Sequence, residues 1–283
     1  MRVAFVTYSG APDLSLDDQA VLPHLQPVAA VWNDPHISWQ DFDAVVLRST
    51  WDYHLHQQAF LDWLDRLTHL GVQLLNPAAL VRWNANKIYL RELQETGIPI
   101  IPTRFLTHPE RHLLPEVLAE MGFEGVVKPS VSAAAHHTYR ISGSLPEEIQ
   151  TALMNLPEDV DLLVQPFMPE IQHPGEHSLI FFNGHFSHAV LKTPSTGDFR
   201  VQGMHGGRFS GTEVSGDLIA QAQQVLRVLP EIPLYARVDG LVRDGQFLLM
   251  EIELIEPHLF LRTHPDAARH FALALQEKVA SPV

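Results

Sequence analysis

The sequence predicts an α/β fold in which a parallel α/β domain is followed by two α+β lobes. Strand-like and helix-like segments alternate over residues 1–80, as is typical of a parallel sheet. Two strong hairpin signals, Asn183-Gly184 and Asp244-Gly245, predict antiparallel strands in the last third of the chain. The length of 283 residues and the apolar content of 46% are sufficient to bury a substantial core.

Charge and composition exclude several classes of protein. Nineteen basic residues against thirty-three acidic ones give a net charge of −14, which argues against broad binding to nucleic acid or anionic membranes. The absence of cysteine excludes disulfides, thiol nucleophiles and cysteine-ligated metal sites. The apolar run at residues 3–6 is too short for a signal peptide, and no later run approaches the length of a membrane span. We therefore expect a cytoplasmic protein.

The first domain, expected over 1–80, carries polar residues directly after its strands. Strands are predicted at Val3–Tyr8, Val28–Trp32 and Ala44–Leu47, and helices at Asp17–Leu25 and Gln57–Leu70. Ligands of parallel sheets bind beyond the carboxyl ends of the strands. We therefore expect substrate to contact the residues that follow the first and third strands: Tyr8, Ser9, Arg48, Ser49, Trp51, Asp52 and Tyr53. A role for Trp51 and Tyr53 in capping the core is the open alternative.

The remainder, 81–283, is expected to form two lobes, 81–166 and 167–283. In the first lobe, Lys87 precedes a helix that Gly97 and Pro99 end, and Lys128 stands at the end of an apolar strand. Its other predicted elements are a strand at Arg104–Leu106, a helix at Leu114–Met121, a helix through Leu153 capped by Ser144 and Glu147, and a strand at Asp161–Val164. The alternative is that either lysine is a solvated side chain at the end of its helix or strand, without a functional role.

The second lobe contains a polar, glycine-rich segment from Gly197 to Gly207. Such a composition is poorly suited to a core and is typical of a mobile flap over a site. Helices are predicted at Gly216–Leu229 and Pro265–Lys278 on either side of the last hairpin. The flap and this hairpin are the two candidate functional segments of the lobe.

The last hairpin presents three carboxylates and an arginine. Residues spaced by two share a face of a strand, so Arg237 with Asp239, and Glu251 with Glu253, converge in one volume. Crowded carboxylates repel, and either a raised pKa or a bound hard cation relieves the repulsion. We expect Asp239, Glu251 and Glu253 to bind metal. An ordinary ion pair between Arg237 and Asp239 is the alternative.

In this order, the features resemble those of the ATP-grasp superfamily. They are Lys87, Lys128, a loop of small residues after it, the segment Gln165–Met168 and the carboxylate hairpin. Glutathione synthetase and D-alanine:D-alanine ligase are the similar members. The segments Arg48–Tyr53 and Asn76–Lys87 also resemble the cyclo-ligases that close O-ureido-D-serine into D-cycloserine. The resemblance implies an ATP-grasp architecture, in which two lobes clasp ATP beside an N-terminal domain.

The resemblance also implies the cofactors and the roles of site residues. It implies ATP with Mg²⁺ or Mn²⁺, and assigns cofactor binding to Lys87, Lys128, Ser130, Ser132, His136, Gln165, Pro166, Phe167, Met168 and Glu176. It assigns catalysis to Arg237, Arg200 and Lys192, and substrate contacts in the flap to Gly206 and Gly207. The chain departs from the family pattern at Ala133–Ala135, where relatives carry glycines, and at Glu253, where asparagine is common.

The expected activity is ligation of a small-molecule carboxylate to a nitrogen through an acyl phosphate. Joining two molecules and closing a ring within one both remain open, as does a nucleotide-binding module without turnover. Motifs for a P-loop, a dinucleotide turn, a zinc protease and a nucleophile elbow are absent from the sequence. The partners expected are small carboxylates and amines and, from the resemblance, a second copy or a tetramer. The pairs His54/His56 and His136/His137 are expected at the surface or in loops, with His136 near phosphate, and His205 and His258 within reach of substrate.

Overall fold

The first sheet is parallel, as predicted. The computed structural model describes residues 1–132, 135–201 and 206–280. The strands of this sheet are β1 (Val3–Thr7), β2 (Val28–Val31), β3 (Ala44–Leu47) and β4 (Leu74–Leu75), in the order β2-β1-β3-β4. Helix α1 (Gln57–His69) buries Phe60, Leu64 and Leu67 on one face, at the spacing that the sequence indicates.

The second sheet is antiparallel and is preceded by two short helices, α2 (Ala78–Asn84) and α3 (Tyr89–Glu95). Its strands are β5 (Arg104–Leu106), β6 (Glu124–Pro129), β7 (Tyr139–Ser142) and β8 (Leu162–Pro166), in the order β5-β8-β6-β7. Helices α4 (Leu114–Glu120) and α5 (Glu147–Met154) complete this lobe. Apolar residues of α4, β6 and β8 form a separate core beneath it.

The third sheet is antiparallel and contains both predicted hairpins. Its strands are β9 (Glu176–Phe182), β10 (His185–Thr193), β11 (Arg208–Thr212), β12 (Tyr235–Arg243) and β13 (Gln246–Glu253), in the order β11-β10-β9-β12-β13. Asn183 and Asp244 adopt positive φ in the turns, as the Asn-Gly and Asp-Gly pairs predict. Helices α6 (Gly216–Arg227) and α7 (Ala267–Ala280) pack on this lobe, and no helix of the described residues is long and apolar enough to cross a membrane.

Helix α7 joins the first and third sheets. Its Phe271 is fully buried and lies with its ring centroid 6.0 Å from Phe5 of β1, 5.2 Å from Phe182 of β9 and 6.2 Å from Tyr235 of β12. A buried aromatic side chain contributes a large apolar area to such an interface. The hydroxyl of Tyr235 also lies 2.8 Å from the carbonyl oxygen of Leu47, which holds the carboxyl end of β3 beside the hairpin strand β12.

Residues 17–25 form less helix than the sequence predicts. The structure has a single 3-10 turn at Asp18–Val21. Pro23 lies inside the predicted helix and has no N–H to donate to a helical hydrogen bond, so the helix does not continue. The turn still buries Asp18, whose carboxylate meets Arg48 just after β3.

The predicted capping of α5 by Ser144 is wrong. The helix begins at Glu147, and the residue that precedes it is Pro146, in an extended conformation. Ser144 lies two residues before that cap and forms an isolated β-bridge with Ser142. Pro146 fixes its own φ and offers no N–H, which sets the start of the helix closer to Glu147.

His188 of β10 is a buried histidine that the fold keeps neutral. Its side chain is 4% exposed, its Nε2 lies 2.9 Å from the carbonyl oxygen of Leu259, and its Nδ1 lies 3.0 Å from Oγ of Ser187. A neutral ring satisfies both contacts by donating from one nitrogen and accepting at the other. Burial lowers the pKa of His188 to about 4.

We expect His188 to make the folded protein acid-sensitive between pH 6.5 and pH 4. In that window the unfolded chain binds a proton that the folded chain excludes, so stability falls as the pH falls. From pH 7 to pH 5 this one group lowers the free energy of unfolding by about 2 kcal/mol. Between pH 7 and pH 5, the free energy of unfolding measured by urea denaturation should therefore fall by about 2 kcal/mol less for His188→Gln than for the wild type. The exposed His185→Gln, on the same strand, is the control, and an equal loss in all three proteins would contradict the assignment.

Candidate active site

A cavity of about 480 Å³ lies between the second and third sheets and opens toward the loop after β3. Many of the predicted site residues line it: Trp51, Tyr53, Lys87, Lys128, Ser132, Gln165, Pro166, Phe167, Met168, Glu176, Lys192, Arg200, Arg237, Asp239, Glu251 and Glu253. These residues come from all three parts of the chain. The cavity is therefore the site that the sequence features indicate.

The carboxylate hairpin forms one wall of the cavity. In the register of β12 with β13, Arg237 lies opposite Glu253 and Asp239 lies opposite Glu251. One oxygen from each of Asp239, Glu251 and Glu253 lies within 4.8 Å of the other two. A bulge follows Asp239, where a Cβ on Gly240 would approach the carbonyl oxygen of Leu248 to 2.6 Å. Three convergent carboxylate oxygens are a donor set that fits a hard divalent cation.

Side chains from α2 and α3 cover the outer edge of β13. The Nδ2 of Asn84 donates to the carbonyl of Ile252 at 2.7 Å, and its Oδ1 accepts from the N–H of Leu254 at 2.8 Å. The hydroxyl of Tyr89 donates to the carbonyl of Ile252 at 3.0 Å, and Nδ2 of Asn76 donates to the carbonyl of Leu254 at 2.8 Å. These bonds satisfy the edge strand and fix the position of Glu251 and Glu253.

Buried cations compensate the carboxylates. The Nε of Arg237 lies 3.0 Å from each oxygen of Asp239, and its Nη2 also pairs with Glu253. Nζ of Lys192 pairs with Glu176 and lies 3.2 Å from Oδ2 of Asp239. Burial opposes the charge on both partners, yet the carboxylates raise the pKa of Arg237, and Arg237 with Lys192 lowers the pKa of Asp239.

The two remaining carboxylates of the cluster respond in opposite directions. Burial would raise the pKa of Glu251, but nearby Lys87 and Lys128 hold it below its usual range. Burial, followed by repulsion from Glu251 and Asp239, raises the pKa of Glu253. Of the three carboxylates, Glu253 is thus the one whose charged form the burial and crowding disfavour most, although it pairs with Arg237.

The two lysines predicted to bind phosphate differ in their contacts with the protein. Nζ of Lys87 donates to the carbonyl of Ser132 at 2.7 Å and lies 3.7 Å from Oε2 of Glu251. Lys128, at the end of β6, is 9% exposed and has no ion pair among the described residues. Burial lowers the pKa of Lys128. Glu251 and Glu176 act on this lysine only from beyond ion-pair distance, so an anion in the cavity would be a closer partner than any carboxylate of the described residues.

Ser130 and His136 do not line the cavity. The Oγ of Ser130 accepts from the N–H of Asp161 at 3.0 Å, which ties the end of β6 to the chain before β8. The ring of His136 lies 6.0 Å from that of His54 and 4.1 Å from that of His137, between centroids. Cofactor binding by Ser130 and His136 stays a prediction.

Arg48 is buried and binds groups of the protein itself. Its side chain is 2% exposed, with Nε 2.8 Å from Oδ1 of Asp18 and Nη2 3.1 Å from the carbonyl of Pro257. Both partners are protein groups, and Arg48 does not line the cavity. The guanidinium therefore joins the first domain to the chain that follows β13 rather than presenting itself to substrate.

The other predicted residues of the first-domain rim differ in exposure. Asp52 accepts a hydrogen bond from Nε1 of Trp32 at 2.9 Å. The rings of Tyr8 and Trp51 pack edge to face, with their centroids 6.1 Å apart. Ser9 is exposed and Ser49 is buried. The cavity is lined by Trp51 and Tyr53 and not by Tyr8, Ser9, Ser49 or Asp52, whose substrate role stays a prediction.

The predicted flap lies between β10 and β11. Its Arg200 lines the cavity and pairs with Asp198 at 2.8 Å, whereas Gly206 and Gly207 do not line it. A Cβ on Gly207 would clash with the carbonyl oxygen of Val201, so only glycine permits this close approach within the flap. Residues 202–205, with His205, lie outside the described part of the chain.

Glu256 is a cavity residue that the sequence reasoning missed. It lies three residues after Glu253 and is partly exposed to the cavity. Burial raises the pKa of Glu256 to about 7. The available signal was the spacing Glu253-x-x-Glu256-Pro257, which places another carboxylate where the strand leaves the sheet.

Comparisons with known proteins agree with this geometry. The family described as D-cycloserine synthetase DcsG, N-terminal domain, matches residues 3–76. The cycloserine biosynthesis protein DcsG of Streptomyces lavendulae is 32% identical over 266 residues, which span 88% of this chain and 87% of that protein. The crystal structure of D-cycloserine synthetase DcsG is similar with a TM-score of 0.86 at 29% identity, over 99% of this chain and 100% of that one.

A more distant structure shares the fold. D-alanine–D-alanine ligase from Bacillus anthracis has a TM-score of 0.70 at 17% identity, over 99% of this chain and 96% of that one. At this identity the likeness concerns the fold alone. The predicted ATP-grasp architecture is confirmed, and so is the resemblance to the cycloserine-forming ligases.

We expect Asp18→Asn to destabilise the protein by about 3–5 kcal/mol, because it leaves the charge of Arg48 buried without its partner. Urea denaturation measures the change. The control is Asp266→Asn, which removes the exposed partner of Arg269 and should cost no more than about 1 kcal/mol. Equal stability of the two variants would contradict a structural role for the buried pair.

Proposed function

This chain belongs to the D-cycloserine synthetase family of ATP-grasp ligases, and we propose that it closes a ring within a small amino acid. It is an ATP-dependent ligase that forms a carbon–nitrogen bond. The observation that supports the site assignment is the convergence of Lys87, Lys128 and the carboxylate hairpin on one cavity that also reaches the first-domain rim. In this arrangement, nucleotide phosphates and a substrate carboxylate would meet at the hairpin.

The proposed metal ligands are Asp239, Glu251 and Glu253. Their convergent oxygens suit Mg²⁺ or Mn²⁺, and a bound cation would favour the charged form of Glu253, which the neighbouring carboxylates disfavour. When bound, the metal would neutralise charge on the transferred phosphoryl group. The glutamate at 253 adds a negative charge to the site relative to the asparagine common in relatives.

The proposed nucleotide contacts lie on the second sheet and its connection to the third. Lys128, which has no ion pair among the described residues, would bind phosphate oxygens together with Lys87. The segment Gln165–Met168 would hold adenine: Gln165 donates to Oγ1 of Thr103 at 2.9 Å, and Met168 packs in an apolar cluster beside the cavity. Gln165 and Pro166 belong to the end of β8, so this part of the nucleotide site is rigid.

The chemistry requires positive charge where negative charge develops. The substrate carboxylate attacks the γ-phosphorus of ATP, the bond to the ADP oxygen breaks, and an acyl phosphate forms. A nitrogen then attacks the acyl carbon, phosphate leaves, and the nitrogen loses a proton. Arg237 lies at the carboxylate hairpin and would stabilise both the phosphoryl group and the oxyanion, while Lys192 and Arg200 would assist from β10 and the flap.

Ring closure fits a substrate that carries its own nucleophile. In O-ureido-D-serine, attack by the nitrogen bonded to oxygen on the activated carboxyl closes a ring of five atoms. An intramolecular nitrogen needs no second binding site and gains the advantage of proximity. Conversion to D-cycloserine also removes the carbamoyl group from that nitrogen by hydrolysis: one water attacks the carbamoyl carbon, the bond to the ring nitrogen breaks, the nitrogen takes a proton, and the carbamic acid released decomposes to carbon dioxide and ammonia.

We expect the wild-type protein to release ADP and phosphate from ATP, Mg²⁺ and O-ureido-D-serine, with a product of the mass of D-cycloserine. Mass spectrometry and an ADP assay measure these products, with reactions that lack the metal or the amino acid as controls. An adduct of two substrate molecules would contradict ring closure. ATP binding without ADP release across a panel of carboxylates and amines would instead identify a nucleotide-binding module without turnover.

We expect Glu251→Gln to lower the rate of metal-dependent ADP release at least about 100-fold while the fold is retained. Loss of a residue that only hydrogen-bonds to a metal ligand typically lowers metal affinity or activity 10-fold to 100-fold, and loss of a ligand itself lowers them more. The matched control is Glu95→Gln, the same change at an exposed residue of α3. A Glu251→Gln variant with near-normal turnover and metal dependence would remove the hairpin from the metal site.

A further inference from the structure

Most of the lysine, arginine and carboxylate side chains that line the cavity have an ion-pair partner among the described residues, and two do not. Four of the five cavity carboxylates have a cationic partner: Glu176 with Lys192, Asp239 with Arg237, Glu251 with Lys87, and Glu253 with Arg237. Among the described residues, Glu256 has no ion pair, and Lys128 has none either. The protein therefore leaves one cation and one carboxylate of this cavity to be paired by a ligand.

The backbone around Glu256 is rigid. The carbonyl of Ile255, before it, accepts from the hydroxyl of Tyr235 at 2.7 Å, and the carbonyl of Pro257, after it, accepts from Arg48 at 3.1 Å. Ile255 is 2% exposed. Glu256 is therefore held at a defined place in the cavity wall, as a binding residue must be.

Glu256 stands apart from the proposed metal cluster and near the first-domain rim. It is not among the three carboxylates whose oxygens converge. Burial, followed by the charge of Glu256, raises the pKa of Tyr53, a rim residue that lines the same cavity, and Ile255, next to Glu256, packs in the same apolar cluster as Tyr53. Glu256 is therefore on the side of the cavity that the amino-acid substrate would occupy.

An unpaired carboxylate in this position has an energetic reason to bind a cation. Burial disfavours its charged form and raises the pKa of Glu256 to about 7, against the opposing effect of Lys87 and Arg237. A ligand cation placed beside it would replace the solvation that the carboxylate has lost. The ammonium group of an amino acid is a cation of the required size, with three N–H donors.

We propose that Glu256 binds the α-ammonium group of the amino-acid substrate. This assignment rests on the proposed function and adds to it the requirement for a free α-amine. Pairing keeps that amine protonated and therefore not nucleophilic, and it orients the carboxylate attached to the same α-carbon toward Arg237. The remaining nitrogen of the substrate is then the one that attacks.

The test compares two proteins with two compounds. The proteins are the wild type and Glu256→Gln, and the compounds are O-ureido-D-serine and its analogue that lacks the α-amine, 3-(ureidooxy)propanoate. We expect Glu256→Gln to raise KM for O-ureido-D-serine at least about 30-fold, with KM for ATP unchanged within about twofold. For the analogue, the two proteins should have the same KM, and Glu256→Asp should recover part of the loss for O-ureido-D-serine.

The outcomes separate the two proposals. An unchanged KM for O-ureido-D-serine in Glu256→Gln, with cyclic product still formed, would overturn the role of Glu256 and leave the proposed function standing. An equal loss on both compounds would overturn it as well, since a merely structural role is indifferent to the amine. Absence of turnover by the wild type would overturn the proposed function and the assignment together. Glu95→Gln is the control, and it should match the wild type with either compound.

Discussion

The register of β12 with β13 is the constraint on which the site depends. It places Arg237 opposite Glu253 and Asp239 opposite Glu251, so that a guanidinium and three carboxylates share one largely buried face. Taking such charges out of water is costly unless each has a partner. Lys192 completes the pairing on Asp239 from β10. A slip by one residue would turn these side chains to the opposite face of the sheet and leave each without its partner.

The bracing of β13 links the proposed metal ligands to the phosphate side of the cavity. β13 is an edge strand, and Asn84 and Tyr89 satisfy its backbone from the two helices that flank Lys87. The same short segment also bonds to the loop after β6 through the side chain of Lys87. The groups proposed to bind phosphate and metal are therefore fixed relative to one another by residues 84–89, which come from neither the hairpin nor the second sheet.

Local signals in the sequence were sufficient for features that short segments determine. The turns at Asn183 and Asp244 follow from the backbone preferences of Asn-Gly and Asp-Gly, and alternation along the hairpin gave the shared face of Glu251 and Glu253. Arg48 could not be interpreted in the same way, because its partner Asp18 is 30 residues away and the contact depends on tertiary packing. Glu256 was missed because it follows the strand, where the alternation that located the other carboxylates no longer applies.

Among the described residues, Lys128 and Glu256 are the two cavity charges without an ion pair, and they favour ligands of opposite sign. Lys128, at the end of β6, would bind an anion, and Glu256, after β13, would bind a cation. Phosphate oxygens at the first and an ammonium group at the second would place the substrate carboxyl between them, beside Arg237 and the carboxylate hairpin. At these two residues, neither ligand would have to displace a partner in an ion pair of the protein. Under the proposed assignments, the ion pairs within the fold would direct each ligand to an unpaired charge, because the other four carboxylates of the cavity already have cationic partners.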